Sequence, residues 1–291
     1  MKIYAVIISY CPTQSQLLQL CEILVKDGAS VIIVDNTETP YLNLSLFPEQ
    51  CQIIPLGFNS GIAHAQNIGC NIALAGNAEV VVFFDQDSTL KQGFLNTLVS
   101  PLRIGTADVV SPLCIDTVSN RELPSLRINK YGLPTLLLSE NASTPYEVDI
   151  IISSGTAMTR EAFNIVGPFD EGFFIDLVDT EWCLRCRSKG VPIRVIPEAV
   201  MHHRIGTQAI PIGRSFLVEH SPRRCYYQLR NCFQLFRKPH VPFLFALKET
   251  YSTFTSRILL LFFVKHRWEY IKFYIHAVKD GLTAVAGPKP N

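Results

Sequence analysis

The sequence is short of charge. Asp, Glu, Lys and Arg make up 18% of 291 residues, and the formal net charge is +1. A nucleic-acid binder resting on bulk electrostatics needs a large positive excess, so that class is set aside. Long apolar runs are missing too. The longest, ILLLFFV at 258–264, is less than half of the ~18–20 residues a membrane-spanning helix requires. The opening MKIYAVIISYCP is interrupted by Tyr4 and Ser9 and has no small-residue cleavage site, so it reads as a buried strand rather than a signal peptide. No glycine precedes Gly28, which excludes the G-x-G-x-x-G fingerprint of a dinucleotide-dependent oxidoreductase. No Lys or Arg follows the first strand before Lys26, so the basic phosphate loop of a nucleotidyltransferase is absent as well. The cysteines number nine, without framework spacing. Cys183 and Cys186 form a C-x-x-C inside the helix-like DTEWCLRCRSKG, and no second pair completes a zinc site. Free thiols fit a reducing compartment.

What is present is a sizeable core. Hydrophobic residues are 48% of the chain. KIYAVIIS (2–9) and ASVIIVDN (29–36) are continuous apolar runs rich in β-branched residues, as in parallel strands buried on both faces. Between them Leu17, Leu20, Cys21 and Leu24 recur at helical spacing until Gly28. A short strand at 51–56, a small-residue helix at 61–75 and a strand at 78–88 follow. This alternation predicts a mostly parallel, Rossmann-like α/β sheet flanked by helices, with ligands at the carboxyl ends of the strands.

Two carboxylates fall at such an end. Asp85 and Asp87, in FFDQDS, stand two apart behind AEVVVFF. Acids so spaced repel one another unless a cation or hydrogen-bond donors offset them. A hard divalent ion bridging to a phosphate is one solution; a solvated turn is the other reading. Asp35 and Asn36 reach the same rim from VIIV, although Asp at a strand end also serves turns and caps.

The middle of the chain is less regular. ADVVSPLCI and YEVDIIIS look like strands separated by a polar, Pro-containing loop. Ser153 to Thr156 is small and polar, TREAFNIVG starts a helix, and Phe169 to Gly172 is a turn. A helix is expected from Asp179 to Lys189, with Asp179 and Glu181 in its first turn, where the helix dipole favours acids. VPIRVIPEAVMHHRIG adds a strand ending in His202-His203, residues that suit packing or metal binding. Residues 220–290 read as helices mixing Arg and Lys with Phe, Tyr, Trp and Leu. They fit either packing on the main domain or docking on a membrane surface.

These pieces, in this order, resemble the inverting, GT-A-fold family 2 glycosyltransferases, and within them the bacterial rhamnosyltransferases. The resemblance covers most of residues 1–235 and is carried by VIISYCP, IIVDN, GFNSGIAHAQNIG, DQDS, SSGTAMTREAFNIVGPFDEGFFIDLVDTEWCLR, HHRIG and SPRRCYYQLRN. It implies a GT-A domain over 1–215 and a C-terminal helical extension over 216–291 with a membrane-associating surface. It also implies roles for residues. Asp87, with His203 or His202, would hold Mg²⁺ or Mn²⁺, and Asp85 would contact ribose or the metal. Tyr10, Asp35 and Asn36 would surround the nucleotide base, with Asn59 and Gly61 near ribose and phosphate. Asp179 matches the position of the base that deprotonates the acceptor. Asp176 and Glu181 are nearby alternatives, and Ser154 and Gly155 belong to the acceptor side. Family members often carry an acid just before the base, where this chain has Val178.

The function so implied is transfer of a sugar, L-rhamnose from dTDP-L-rhamnose, onto a lipid-linked glycan in O-antigen or cell-wall polysaccharide assembly. The expected location is the cytoplasm, peripheral at the inner face of the cytoplasmic membrane, with no nucleic-acid partner. Transfer from a UDP- or GDP-sugar is one alternative reading. A non-catalytic glycan-binding relative is another.

Overall fold

A computed structural model describes residues 1–117, 120–139, 142, 144–203, 209–212 and 215–289, with backbone only at 203, 209–212, 215 and 216. The first half runs β1 (Ile3–Ser9), α1 (Gln14–Lys26), β2 (Ser30–Asp35), β3 (Cys51–Pro55), α2 (Ile62–Ala75), β4 (Val80–Asp85), α3 (Phe94–Leu98), α4 (Ser100–Arg103) and β5 (Val109–Asp116). It continues through β6 (Ser125–Ile128), β7 (Pro134–Leu137), β8 (Tyr146–Val148), β9 (Ala157–Thr159), α5 (Arg160–Val166), α6 (Val178–Ser188) and β10 (Ile193–His203). The hairpin β11 (Ala209–Ile212) and β12 (Ser215–Val218) leads into α7 (Pro222–Leu235), α8 (Phe243–Leu260) and α9 (Arg267–Leu282).

An eight-stranded sheet of order β3-β2-β1-β4-β9-β5-β10-β8 forms the centre. Strands β1 to β5 and β10 share a direction, while β9 and β8 run against their neighbours. The parallel sheet expected from the alternation is therefore present, with one insertion. Three residues of β9 slot between β4 and β5 and join the two parallel blocks.

Side-chain alternation explains why the strands are apolar throughout. Val81 and Phe83 of β4 enter one buried layer; Val80, Val82 and Phe84 enter the other. The small residues of α2 let it approach the sheet. A Cβ on Gly69 would lie 2.2 Å from Val6 Cγ1. Cys183 and Cys186 are buried thiols on α6, and all nine cysteines are free. Burial pushes both of these thiols up.

The helices after residue 220 pack into the body of the protein. Leu235, Val241, Phe245 and Ala246 share a core with Val6 and Phe83. Among the described residues no helix is long and apolar enough to cross a membrane.

Candidate functional site

One rim of the sheet gathers the strand ends. Register aligns Ser9 with Asp35, Ile8 with Asp85, and His203 with Asp116. The chain turns at once after Asp85, leaving Asp85 partly buried and Asp87 exposed. Ser154 braces this turn from below. Its Oγ accepts from Asp85 N at 3.1 Å and lies 2.8 Å from Ser88 Oγ. Beside it, Gly155 N donates to Phe83 O at 2.7 Å, and a Cβ there would meet Pro112 Cγ at 2.5 Å. Ser154 and Gly155, read in the sequence as acceptor-side residues, thus lie beneath the paired acids.

The turn is fixed on two other sides. Gln86 exchanges hydrogen bonds with the backbone of Tyr10. Thr89 and His202 exchange backbone bonds at 3.1 and 3.2 Å, drawing the end of β10 against the acids. The His203 side chain and Arg204 to Gly206 of HHRIG lie outside the described residues. Among the described residues no group of three His, Cys, Asp or Glu is gathered around one point.

The residues expected around the nucleotide divide into two kinds. The Tyr10 ring is exposed, its hydroxyl 3.3 Å from Glu38 Oε1, and slight desolvation followed by the Glu38 charge raises its pKa. Asp35 and Asn36 are buried and hold backbone instead. Asp35 Oδ1 accepts from Ser9 Oγ, Thr37 N and Thr37 Oγ1, and Thr37 Oγ1 in turn accepts from Cys11 N. Asn36 Oδ1 accepts from Ser60 N at 2.9 Å and Ser60 Oγ at 2.7 Å, which anchors the Gly/Asn-rich loop. Asn59 Oδ1 accepts from Gly61 N. Gly61 has φ +86°, and a Cβ on it would lie 2.5 Å from Phe174 Cδ2. Phe174 O also accepts from Ile62 N at 2.7 Å, so the start of α2 is docked on the segment that leads to Asp179.

The three candidate bases have distinct surroundings. Glu181 is buried, bidentate with Arg185 at 3.0 and 2.7 Å, and 2.8 Å from His240 Nε2. Asp176 lies in left-handed backbone (φ +62°) and is gripped by Arg224 through Nε and Nη2. Among the described residues no Arg or His pairs with Asp179, whose Oδ1 accepts from Thr180 N at 2.8 Å. Asp179 lines a narrow pocket with Phe83, Ser153, Phe169 and Trp182; Phe83 meets Phe169 edge to face, and Phe169 meets Trp182 at a tilt of 31°. Burial raises its pKa to about 6, with the Asp176 and Asp85 charges adding to the rise. The N–H groups of Thr180 and Ser153 act in the opposite sense. A carboxyl with these properties can accept a proton near neutral pH.

Sequence reasoning missed several members of this site. Gln86 was only the spacer of D-x-D. Arg224 and Asn231 sat inside the matched stretch SPRRCYYQLRN without a role. A lone polar residue on a helical face gives no sign of which distant backbone it will meet.

Solved glycosyltransferases share this fold of a mostly parallel sheet flanked by helices. The chain superposes on Staphylococcus aureus TarS with TM-score 0.59 at 15% identity over 98% of this chain and 49% of that one. It superposes on GalNAc-T7, solved with UDP, GalNAc and Mn²⁺, with TM-score 0.56 at 14% identity over 82% of this chain and 52% of that one. The chain spans about half the length of these two structures, which share its fold. The profile of glycosyl transferase family 2 matches residues 13–166. The dTDP-rhamnosyl transferase RfbF of Shigella flexneri is 38% identical over 286 residues, 98% of this chain and 97% of that protein. The chain belongs to glycosyl transferase family 2.

Proposed function

We propose that this glycosyltransferase moves L-rhamnose from dTDP-L-rhamnose to a hydroxyl of a lipid-linked glycan, with inversion at the anomeric carbon. The observation that carries the mechanism is Asp179, a carboxyl with a pKa near 6 within electrostatic reach of the Asp85 turn. The donor assignment is supported by the full-length similarity to a dTDP-rhamnosyl transferase.

In this reading the acceptor oxygen attacks the anomeric carbon as the bond to the diphosphate oxygen breaks. Asp179 takes the acceptor proton, and dTDP leaves with the bonding electrons. Asp35 and Asn36 shape the nucleotide site through Thr37 and Ser60, while the Tyr10 ring offers a surface for the base. Asp85 and Asp87 are hard oxygen donors on one turn, a set that suits Mg²⁺ or Mn²⁺ with diphosphate oxygens and water completing the shell. His202 or His203 at the end of β10 would add a ligand. When bound, such an ion neutralises the leaving diphosphate.

A lipid-linked acceptor calls for a place at the membrane. The turn between α8 and α9 supports a peripheral position at the inner face. Phe262 in that turn and Trp268 in the first turn of α9 are each 73% exposed, beside exposed Lys265 and Arg267.

The test is a donor panel. Purified protein is given dTDP-L-rhamnose, UDP-glucose, UDP-galactose and GDP-mannose, with and without Mg²⁺ or Mn²⁺. Binding heat and nucleoside diphosphate release are followed. Metal-dependent preference for the dTDP sugar is expected. Preference for a UDP or GDP sugar overturns the rhamnose assignment, and binding of none of them overturns catalysis.

A further inference from the structure

The segment from Gly172 to Leu177 is held in an unusual shape. Phe174, Asp176 and Leu177 all have φ between +62° and +64°. Non-glycine residues in this region are strained and persist only where surroundings impose them. The surroundings here come from α7. Asn231 is fully buried, and its Nδ2 donates to Phe173 O at 3.0 Å, Ile175 O at 2.7 Å and Asp176 O at 2.9 Å. Arg230, also fully buried, donates to Gly172 O and Phe173 O and locks the Asn231 amide through Oδ1. About two turns earlier, Arg224 grips the Asp176 carboxylate.

We propose that Asn231 and Arg224 are positioning residues of the transfer reaction, fixing the 172–177 backbone and through it both the Asp179 carboxyl and the docked start of α2. The proposal rests on Asp179 being the base. Three carbonyls aimed at one amide leave no freedom for a slip of that segment. Asp179 begins two residues later on α6, and Phe174 is the contact for Gly61 and Ile62. A shift in the segment therefore moves both halves of the site together. The charged groups that act on Asp179 are Asp176 on the same segment, Asp85 at the end of β4 and, through Asp176, Arg224 of α7.

The full chain is compared with Asn231→Ala, Arg224→Met, Arg224→Lys and Asp179→Asn. The readouts are dTDP-L-rhamnose turnover against pH and donor-binding stoichiometry. For Asn231→Ala and Arg224→Met we expect kcat to fall at least tenfold, donor KM to stay within threefold and stoichiometry to stay near one. With the Asp176 charge left bare, Arg224→Met also moves the acidic limb of the profile upward. Arg224→Lys restores most of both. Two results overturn the proposal: kcat within twofold of the parent, or a loss that only tracks stoichiometry with the limb unmoved. Asp179→Asn separates the layers. If it abolishes turnover while the α7 variants do not, only the positioning role falls; if it leaves turnover intact, the base assignment falls and the proposal with it.

Discussion

Gln86 Oε1 accepts from Tyr10 N at 2.7 Å, and Gln86 Nε2 donates to Tyr10 O at 3.2 Å. The middle residue of D-x-D thus staples the loop after β1 to the turn after β4. Replacing Gln86 with Leu keeps the volume and removes both bonds. The expected result is a donor KM raised about five- to 150-fold, as two modest hydrogen bonds of roughly 0.5–1.5 kcal/mol each predict, with little change in melting temperature. Donor titration by calorimetry checks it.

Asp179 must be ionised to accept a proton. Below its pKa of about 6, kcat/KM is expected to fall tenfold per pH unit. Asp179→Asn should lower kcat by about 10²–10⁴, the usual range for a positioned general base, and leave donor affinity near that of the parent. Steady-state rates between pH 5 and 8, paired with donor binding, read both effects.

The same group makes a stability prediction. Burial raises its folded-state pKa from 3.8 to about 6, so the folded protein holds a proton that the unfolded chain has released. Stability from this group therefore falls as pH rises from about 4 to 6. Asp179→Asn should gain about 1–2 kcal/mol above pH 6, after discounting for partial exposure, and lose that advantage near pH 4. Urea melts at pH 4, 5 and 7 test the sign.

Gly61 leaves no room for a side chain. Its φ of +86° and the 2.5 Å approach to Phe174 Cδ2 make Gly61→Ala both strained and overpacked. A loss of about 2–4 kcal/mol is expected from backbone strain and steric overlap. Gly93→Ala is the milder comparison: it shares the φ of +86°, but its ψ of -6° is left-handed helical where Gly61 has ψ 167°, and nothing lies within 4 Å of the added carbon. Thermal melts should show the larger loss for Gly61→Ala, from both backbone strain and overlap.

Phe262 and Trp268 expose large apolar area beside cations. The double variant Phe262→Ser, Trp268→Ser should lose sedimentation with anionic phosphatidylglycerol vesicles and keep turnover of the soluble donor. Undiminished sedimentation would sink the membrane reading of this turn.

Much of this fold was legible because apolar periodicity is local. The runs 2–9, 29–36 and 78–88 are strands, each with four to six consecutive apolar residues rich in β-branched side chains, as a doubly covered sheet requires. The small-residue run at 61–75 is the helix on Val6. The three-residue β9 was not legible, because AMT is too short to show a period and its pairing is supplied by β4 and β5. The hairpins β6–β7 and β11–β12 were missed for the same reason. In the site, acids at strand ends announced themselves through charge. Asp35 and Asn36 were placed at that rim and Ser154 was read only as an acceptor-side residue, because their burial against Ser9, Ser60 and Ser88 depends on partners far away in sequence.

The grip of α7 on the 172–177 segment has a consequence for biosynthesis. Arg230 also binds Gly287 O, and Gly287 N donates to Gly172 O at 2.8 Å. Chains fold as they emerge, amino-terminal parts first. A nascent chain that has made β1 to β10 holds its paired acids and Asp179, but the carbonyls around Phe173 still await their amide. The backbone of the 172–177 segment therefore finds its partners only once residues 231 and 287 have both been made.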